Sequence, residues 1–239
     1  MNLFENYDDG SFPIFKVLIL MAIVSFIFHK ISFDNTVLKN VDMEPFSEPI
    51  QEKIIDGKPF EHKTSQGIAT ITPIASYKIY GRVYDKHYRP PRLPVAAVYP
   101  YDVSIGFGGF RNKEVYNAVK IRMAGTVAYT WYSWKNYNNH ILKHFRDDSD
   151  IHHCFTNNHL CPANKNVKKG ISQLRKKDIV YIEGYLIKFK LVKNNGQVEK
   201  GISSTARNDK EPRWHGNNGY GSCEQIYVTR IVSRYGDYR

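Results

Sequence analysis

The chain has 239 residues, of which 42% are apolar and 14% are aromatic, and its net charge is +11. This composition excludes a chain that is disordered along its whole length, because it supplies enough apolar surface for a core. Residues 1–56 carry four basic and nine acidic side chains, whereas residues 57–239 carry 30 basic and 14 acidic ones. The C-terminal part is therefore basic enough to attract polyanions, although basic charge can also serve solubility alone.

The N-terminal region contains an apolar run from Val17 to Phe28. With its apolar flanks the run extends over residues 12–33, which reaches the roughly 20 residues that a transmembrane helix needs. A cleaved signal peptide is an alternative, but no small-residue cleavage site follows the run and the preceding segment is acidic. A helix buried in a soluble fold is a third possibility. We predict an uncleaved signal-anchor over residues 12–33, which makes the chain a single-pass membrane protein.

The remainder divides into a polar segment and a strand-rich domain. Residues 34–67 are acidic and contain Pro and Gly, so they are predicted to form a linker. Residues 68–239 show apolar residues at alternating positions, as in Val119, Ile121 and Met123, which is typical of half-buried strands. We therefore predict one β-rich domain over residues 68–239.

One helix and two long strands are predicted in the second half of this domain. The helix spans Asn166 to Lys177, with Asn166 as its N-cap and an apolar stripe at every third or fourth residue. A strand from Asp178 to Val192 follows, with Gly184 as a bend, and a last strand runs from Glu224 to Val232. The predicted fold is mainly β (α+β), an antiparallel, barrel-like and OB-like domain with one short helix behind the transmembrane anchor.

Four pieces of the second half carry a resemblance to a known family. They are Asn158-His159-Leu160 with Pro162-Ala163, residues 174–187, Ser203-Ser204 with Arg207 and Asp209, and residues 221–224 followed by Ile-Tyr-Val after Gln225. On these pieces the chain resembles an uncharacterised family of bacterial single-pass membrane-anchored proteins. The resemblance implies an envelope location and no particular activity. It marks four polar residues as candidate binding residues: Asn158, Ser203, Ser204 and Arg207.

A first candidate site joins His159 and Cys223. A histidine that accepts the thiol proton would give a thiolate nucleophile, and Glu224 or Asp209 could orient the imidazole. Backbone N–H groups of the Gly-rich residues 216–221 could stabilise an oxyanion. A small apolar role for a buried Cys223 is the structural alternative.

A second candidate site is the cluster of histidines and cysteines between residues 140 and 161. Zinc could be held by His140, His144, His152 and His159, since imidazole and thiolate are preferred zinc ligands. However, the spacing matches no known zinc motif. A disulfide between Cys154 and Cys161 is the preferred interpretation, because the intervening FTNNHL is polar and its Asn residues favour a turn. Such a bridge favours a domain in the periplasm or outside the cell.

The sequence thus leaves three functions open. The favoured one is a non-catalytic envelope module, without a cofactor, that binds a partner protein or an acidic polymer. The alternatives are a hydrolase or transferase that uses Cys223 and His159, and a zinc-binding module. Nucleic acid is a disfavoured partner, because basic and aromatic composition alone does not distinguish it from a solvated β face.

Overall fold

The computed structural model describes residues 16–25, 48–93, 95–124, 127–132, 139–145, 154–203 and 223–239. Among these residues the strands are β1 (Ile50–Lys53), β2 (Phe60–Lys63), β3 (Gly67–Tyr88), β4 (Tyr101–Gly106), β5 (Val119–Ala124), β6 (Val127–Tyr132), β7 (Phe155–Pro162), β8 (Ile179–Lys193), β9 (Val198–Ile202), β10 (Cys223–Ser233) and β11 (Gly236–Tyr238). The helices are α1 (residues 16–25), α2 (Lys113–Ala118), α3 (Asn139–Leu142) and α4 (Lys165–Gln173), with a 3-10 turn at Gly108–Arg111. The described chain is therefore mainly β, as predicted.

Five strands pair in a cycle. β3 pairs with β4, β4 with β7, β7 with β10, β10 with β8, and β8 returns to β3. The cycle does not close evenly into a barrel. All pairings among the described strands are antiparallel, as predicted, except that β7 and β10 are parallel. The connection between these two strands contains α4, β8 and β9, and a long connection of this kind is what parallel neighbours require.

The predicted linker contributes two strands to the sheet. Both β1 and β2 pair antiparallel with β3, at residues 75–78 and 68–71 respectively. The folded domain therefore includes residues before 68. Strand β9 extends the sheet beyond β8, and β5 pairs with β6 in a separate two-stranded sheet.

A bulge in β3 gives the sheet two apolar cores. Pro73 pairs with Ile187 and Ala75 with Leu186, so Ile74 is one extra residue and side chains after it point to the other face. Before the bulge Ile71 faces a smaller cluster, the second core. It consists of Ala69, Ile71, Val98, Tyr99, Cys161, Ile187, Phe189 and Leu191. After the bulge β3 faces the main core, which contains among others Tyr77, Ile79, Val103, Ile105, Leu160, Leu186, Ile226 and Val228.

Helix α4 packs against the main core through the predicted apolar stripe. Val167 and Ile171 are fully buried there, and Leu174 follows directly at the C-cap. The N-cap is Asn164 instead of Asn166, because the Asn164 side chain accepts a hydrogen bond from the Val167 backbone N–H at 3.0 Å. Asn166 instead donates its side-chain amide to the Arg239 carbonyl at 3.0 Å. The prediction of a helix here is confirmed, but its N-cap was predicted two residues too late and its end, at Lys177 instead of Gln173, four residues too late.

Gly184 lies within β8, where a bend was predicted. The structure gives a different reason for this glycine. A Cβ atom on Gly184 would lie 2.1 Å from the Tyr227 carbonyl oxygen, so only a residue without a side chain lets β10 approach this closely.

Helix α1 contains ten residues of the predicted anchor, residues 16–25. Its apolar side chains, such as Leu18, Leu20 and Met21, are exposed. Among the described residues, none of the helices combines the length and apolar character that a membrane crossing needs. The other residues of the predicted span, 12–15 and 26–33, lie outside the described residues.

Candidate catalytic site on β4, β7 and β10

Strands β4, β7 and β10 of the cycle present mostly apolar residues to the main core and a group of polar residues to the opposite face. The period of two in a strand causes this division, since successive side chains point to opposite faces. On the polar side, the register forms two rows of three residues, which we call the polar grid. One row contains Asp102, His159 and Gln225, and the other contains Ser104, Asn157 and Cys223.

The first row orients an imidazole. His159 Nδ1 and Asp102 Oδ1 are 2.5 Å apart, and the Asp102 side chain is fully buried. The other carboxylate oxygen, Oδ2, lies 3.6 Å from Nε of Arg89, so a cation partly balances the buried charge. With Nδ1 engaged by the carboxylate, Nε2 is the nitrogen left for a further partner.

The further partner is the thiol of Cys223. Cys223 is only half-buried, and its side chain lies close enough to His159 to raise the pKa of the imidazole. From the neighbouring position on β7, Asn157 Nδ2 lies 4.0 Å from Cys223 Sγ. The structure therefore aligns Asp102, His159 and Cys223 in the order carboxylate, imidazole, thiol.

The surroundings favour the protonated imidazole. Burial is the largest single influence on His159 and lowers its pKa. The hydrogen bonds and charges of Asp102 and Cys223 together outweigh burial and raise the pKa to about 9. At neutral pH the ring is then an imidazolium, which can give a proton to a neighbouring group.

Tyr99 packs between the second core and the polar grid. Its ring centroid is 6.2 Å from that of His159, and its hydroxyl donates a hydrogen bond to Gln225 Oε1 at 3.0 Å. Burial raises the pKa of Tyr99 far above its usual value, so the hydroxyl remains a donor. Gly201 leaves space next to Gln225, since a Cβ atom there would lie 2.9 Å from Oε1. The imidazole of His159 thus lies beside the buried ring of Tyr99.

The residue that orients His159 was missed in the sequence. Glu224 was one candidate, but it lies between Cys223 and Gln225 on β10 and therefore points to the opposite face. There its carboxylate accepts a hydrogen bond from Ser203 Oγ at 3.2 Å. Asp209, the other candidate, and the predicted oxyanion-binding residues 216–221 lie outside the described residues. A usable signal existed in residues 101–105, where Asp102 alternates with apolar neighbours.

Two predicted binding residues, Asn158 and Ser203, form hydrogen bonds within the fold. Asn158 is fully buried and donates to the carbonyls of Val103 at 3.1 Å and Thr156 at 3.3 Å, which links β7 to β4. Ser203 accepts a hydrogen bond from the Gln225 backbone N–H at 3.1 Å, which fixes the start of β10. Ser204 and Arg207 lie outside the described residues.

The predicted zinc ligands are only partly described. His144 contacts Asn112 Nδ2 through Nδ1 and Glu114 Oε2 through Nε2, whereas His159 contacts Asp102. The ring of His140 and all of His152 lie outside what the structure describes. Within the described part of the chain, no three side chains of the metal-binding types form a group that could hold a metal ion.

The predicted disulfide is not present, since no bridge joins the described residues Cys154, Cys161 and Cys223. The segment taken for a turn is strand β7, which starts at Phe155 and continues past Cys161. An extended strand separates the two Cα atoms by roughly 20 Å, well beyond the roughly 7 Å that a bridge allows. Buried pairing with β4 and β10 thus overrides the local turn preference of the Asn residues.

The geometry of the polar grid stands without support from known proteins. No family model matches the chain, and neither the curated proteins nor the solved structures contain a significant match.

Proposed function

We propose that this chain is a thiol-dependent acyl-transfer enzyme, a hydrolase or transferase in which Cys223 is the nucleophile. The observation that supports it is the alignment of Asp102, His159 and Cys223 on three neighbouring strands. The arrangement of nucleophile, base and orienting carboxylate recurs on unrelated folds, so it is recognised by geometry and roles instead of sequence position.

The chemistry assigns one step to each group. The Cys223 thiolate attacks the carbonyl carbon of an acyl donor, and a sulfur–carbon bond forms. The bond to the leaving group then breaks, while the His159 imidazolium gives its proton to that group. The neutral imidazole next takes a proton from water or another acceptor nucleophile, which attacks the thioester and releases the thiolate.

Asp102 and Arg89 act on the imidazole and not on the substrate. The carboxylate of Asp102 fixes the ring through Nδ1 and stabilises its positive charge. Arg89 Nε, at 3.6 Å from the second carboxylate oxygen, places a positive charge beside this buried group. His159 can then change its protonation state without changing its orientation.

The test is acyl transfer by the full-length protein with p-nitrophenyl acetate and a small acyl thioester. We expect release of the leaving group and one acetyl group on Cys223, detected by peptide mass mapping. Cys223→Ala should remove both signals, with the melting temperature unchanged. Cys161→Ala is the matched control, because Cys161 is fully buried in the second core and should not be acylated. Equal release by the wild type and Cys223→Ala would contradict the proposal.

A second proposed function is binding of an acidic polymer, as favoured by the basic charge of the domain. A specific observation supports it on the exposed face of β8 and β9. Lys190 and Lys200 are directly opposed across the two strands, and Lys188 lies two residues along. Within the described part of the chain, no carboxylate forms an ion pair with these three lysines. Like charges placed opposite each other are unfavourable, so an anionic occupant would relieve the repulsion.

This second proposal is tested with a polyanion such as polyglutamate or teichoic acid. Binding should weaken with increasing salt, and Lys190→Ser with Lys200→Ser should weaken it further. Lys193 is a suitable control, because its ammonium already pairs with Glu199 at 2.5 Å. Unchanged binding by the double variant would contradict this use of the face.

We also propose that residues 12–33 attach the protein to a membrane, with the β domain outside the cytoplasm. The apolar run and the resemblance to membrane-anchored bacterial proteins support attachment. The predicted disulfide that favoured the outside placement is absent. Topology mapping is therefore the test of this placement. Protease added to intact spheroplasts should digest the β domain, and protection of the domain would place it inside.

A further inference from the structure

Asn157 is the residue of the polar grid that lies directly beside the proposed nucleophile, Cys223. It is the register partner of Cys223 on the parallel strand β7, and its side chain is fully buried. Its amide nitrogen points to the thiol, with Nδ2 at 4.0 Å from Sγ. An amide N–H that points at a reacting sulfur can donate a hydrogen bond to a group that becomes bonded to that sulfur.

We propose that Asn157 is the oxyanion donor of this site, an inference that rests on the proposed acyl transfer. When the Cys223 thiolate adds to a carbonyl, the oxygen becomes negatively charged and stands two bonds away from sulfur. Donors that stabilise such an oxygen lie roughly 2.7–3.1 Å from it, and hence farther from the sulfur itself. A separation of 4.0 Å between Nδ2 and Sγ suits this role.

The two rows of the grid then divide the reaction between them. The row of Asp102 and His159 transfers the proton, and the row of Asn157 and Cys223 forms the covalent bond and holds the developing charge. Burial strengthens the hydrogen bond to the oxyanion, because the local dielectric constant is low. Rigid strand pairing on both sides of β7 keeps Asn157 in place before the substrate arrives.

Two reactions of the same thiol separate this role from a merely structural one. Acyl transfer passes through an oxyanion, whereas alkylation by iodoacetamide forms a sulfur–carbon bond and expels iodide at a saturated carbon. Asn157→Leu keeps the approximate volume of the side chain and removes the donor. We expect it to reduce kcat for acyl transfer by about 100- to 1,000-fold. The alkylation rate of Cys223 and its pH profile should stay within about twofold, since no oxyanion forms in that reaction.

Asn195→Leu is the matched control, because it removes the same side-chain amide from an exposed turn between β8 and β9, outside the polar grid. It should leave both rates unchanged. An acyl-transfer rate of Asn157→Leu equal to that of the wild type would overturn the oxyanion role and leave the nucleophile intact. An equal loss in both reactions would also overturn it, because Asn157 would then only position the thiol. If the wild type is alkylated at Cys223 but transfers no acyl group, the proposed function fails and this inference with it.

Discussion

The two faces of β4, β7 and β10 have opposite tasks within the same strands. Towards the main core these strands present Val103, Leu160 and Ile226, all fully buried and apolar. One residue earlier in each strand, Asp102, His159 and Gln225 form a row of the polar grid. The comparison shows how the period of two separates stability from chemistry, since a substitution on one face need not disturb the other.

The largest expected difference is between the thiol reactivity of Cys223, in the polar grid, and that of Cys161, in the second core. Cys161 is two residues from His159 and fully buried, and burial raises its pKa far above the usual value. Cys223 is half-buried beside an imidazolium. We expect iodoacetamide to label Cys161 at least about 1,000-fold more slowly than Cys223 in the native protein. Peptide mass mapping over time measures both rates, and similar rates would remove the distinction.

The second expected effect is that substitutions on the main-core face change the free energy of unfolding, whereas substitutions on the grid face change acyl transfer. Leu160→Ala should lower the free energy of unfolding by about 2–5 kcal/mol, because it leaves a cavity in the main core. Acyl transfer per folded molecule should remain close to that of the wild type. The reciprocal variant, Cys223→Ala, should lose transfer and change the unfolding free energy by less than about 1 kcal/mol. Urea unfolding measures both, and a loss of transfer in folded Leu160→Ala would show that the faces are coupled.

The pH dependence of stability tests the ion pair of the grid. His159 has a pKa of about 9 in the folded protein, against 6.5 for an ordinary histidine. The folded state therefore binds more protons between these values, and the free energy of unfolding falls as the pH rises through 9. The contribution is complete below about pH 6.5 and is on the order of 3 kcal/mol.

Urea unfolding at pH 6 and pH 9.5 measures this contribution. Asp102→Asn is the control, because it removes the charge that raises the pKa and leaves burial, which lowers it. The difference between the two pH values should shrink in this variant, and NMR titration should place the His159 pKa below 9. An unchanged pKa would show that Asp102 does not set the charge of the imidazole.

The smallest expected effect concerns Ser104, a buried residue of the grid without a hydrogen-bond partner for its hydroxyl among the described residues. Ser104→Ala should raise the free energy of unfolding by up to about 1 kcal/mol, because it removes an unsatisfied buried group. Asn158→Ala on the opposite face should instead lower it by about 1–3 kcal/mol, since two backbone carbonyls lose their donor. Equal losses in thermal or urea unfolding would mean that the Ser104 hydroxyl has a partner.

Local patterns in the sequence determined the strands β8 and β10 and the helix α4, but they did not reveal β1, β2 or β7. Alternation predicted β8 and β10 within a residue or two of their ends, and the apolar stripe of α4 is buried as expected. His159 and Cys223 were singled out together because their residue types fit nucleophilic catalysis. The sequence also favoured a turn at Thr156, Asn157 and Asn158, because local propensity is all that a short polar segment displays.

Only the tertiary structure decided the site. Asp102 precedes His159 by 57 residues, and it becomes the orienting carboxylate only when β4 pairs with β7. The parallel pairing of β7 with β10 then places Cys223 and Asn157 side by side. That pairing also makes a strand of the predicted turn and excludes the predicted disulfide, because an extended strand keeps Cys154 and Cys161 apart. Strand register is set by the burial of whole faces, a property that no single segment of the sequence contains.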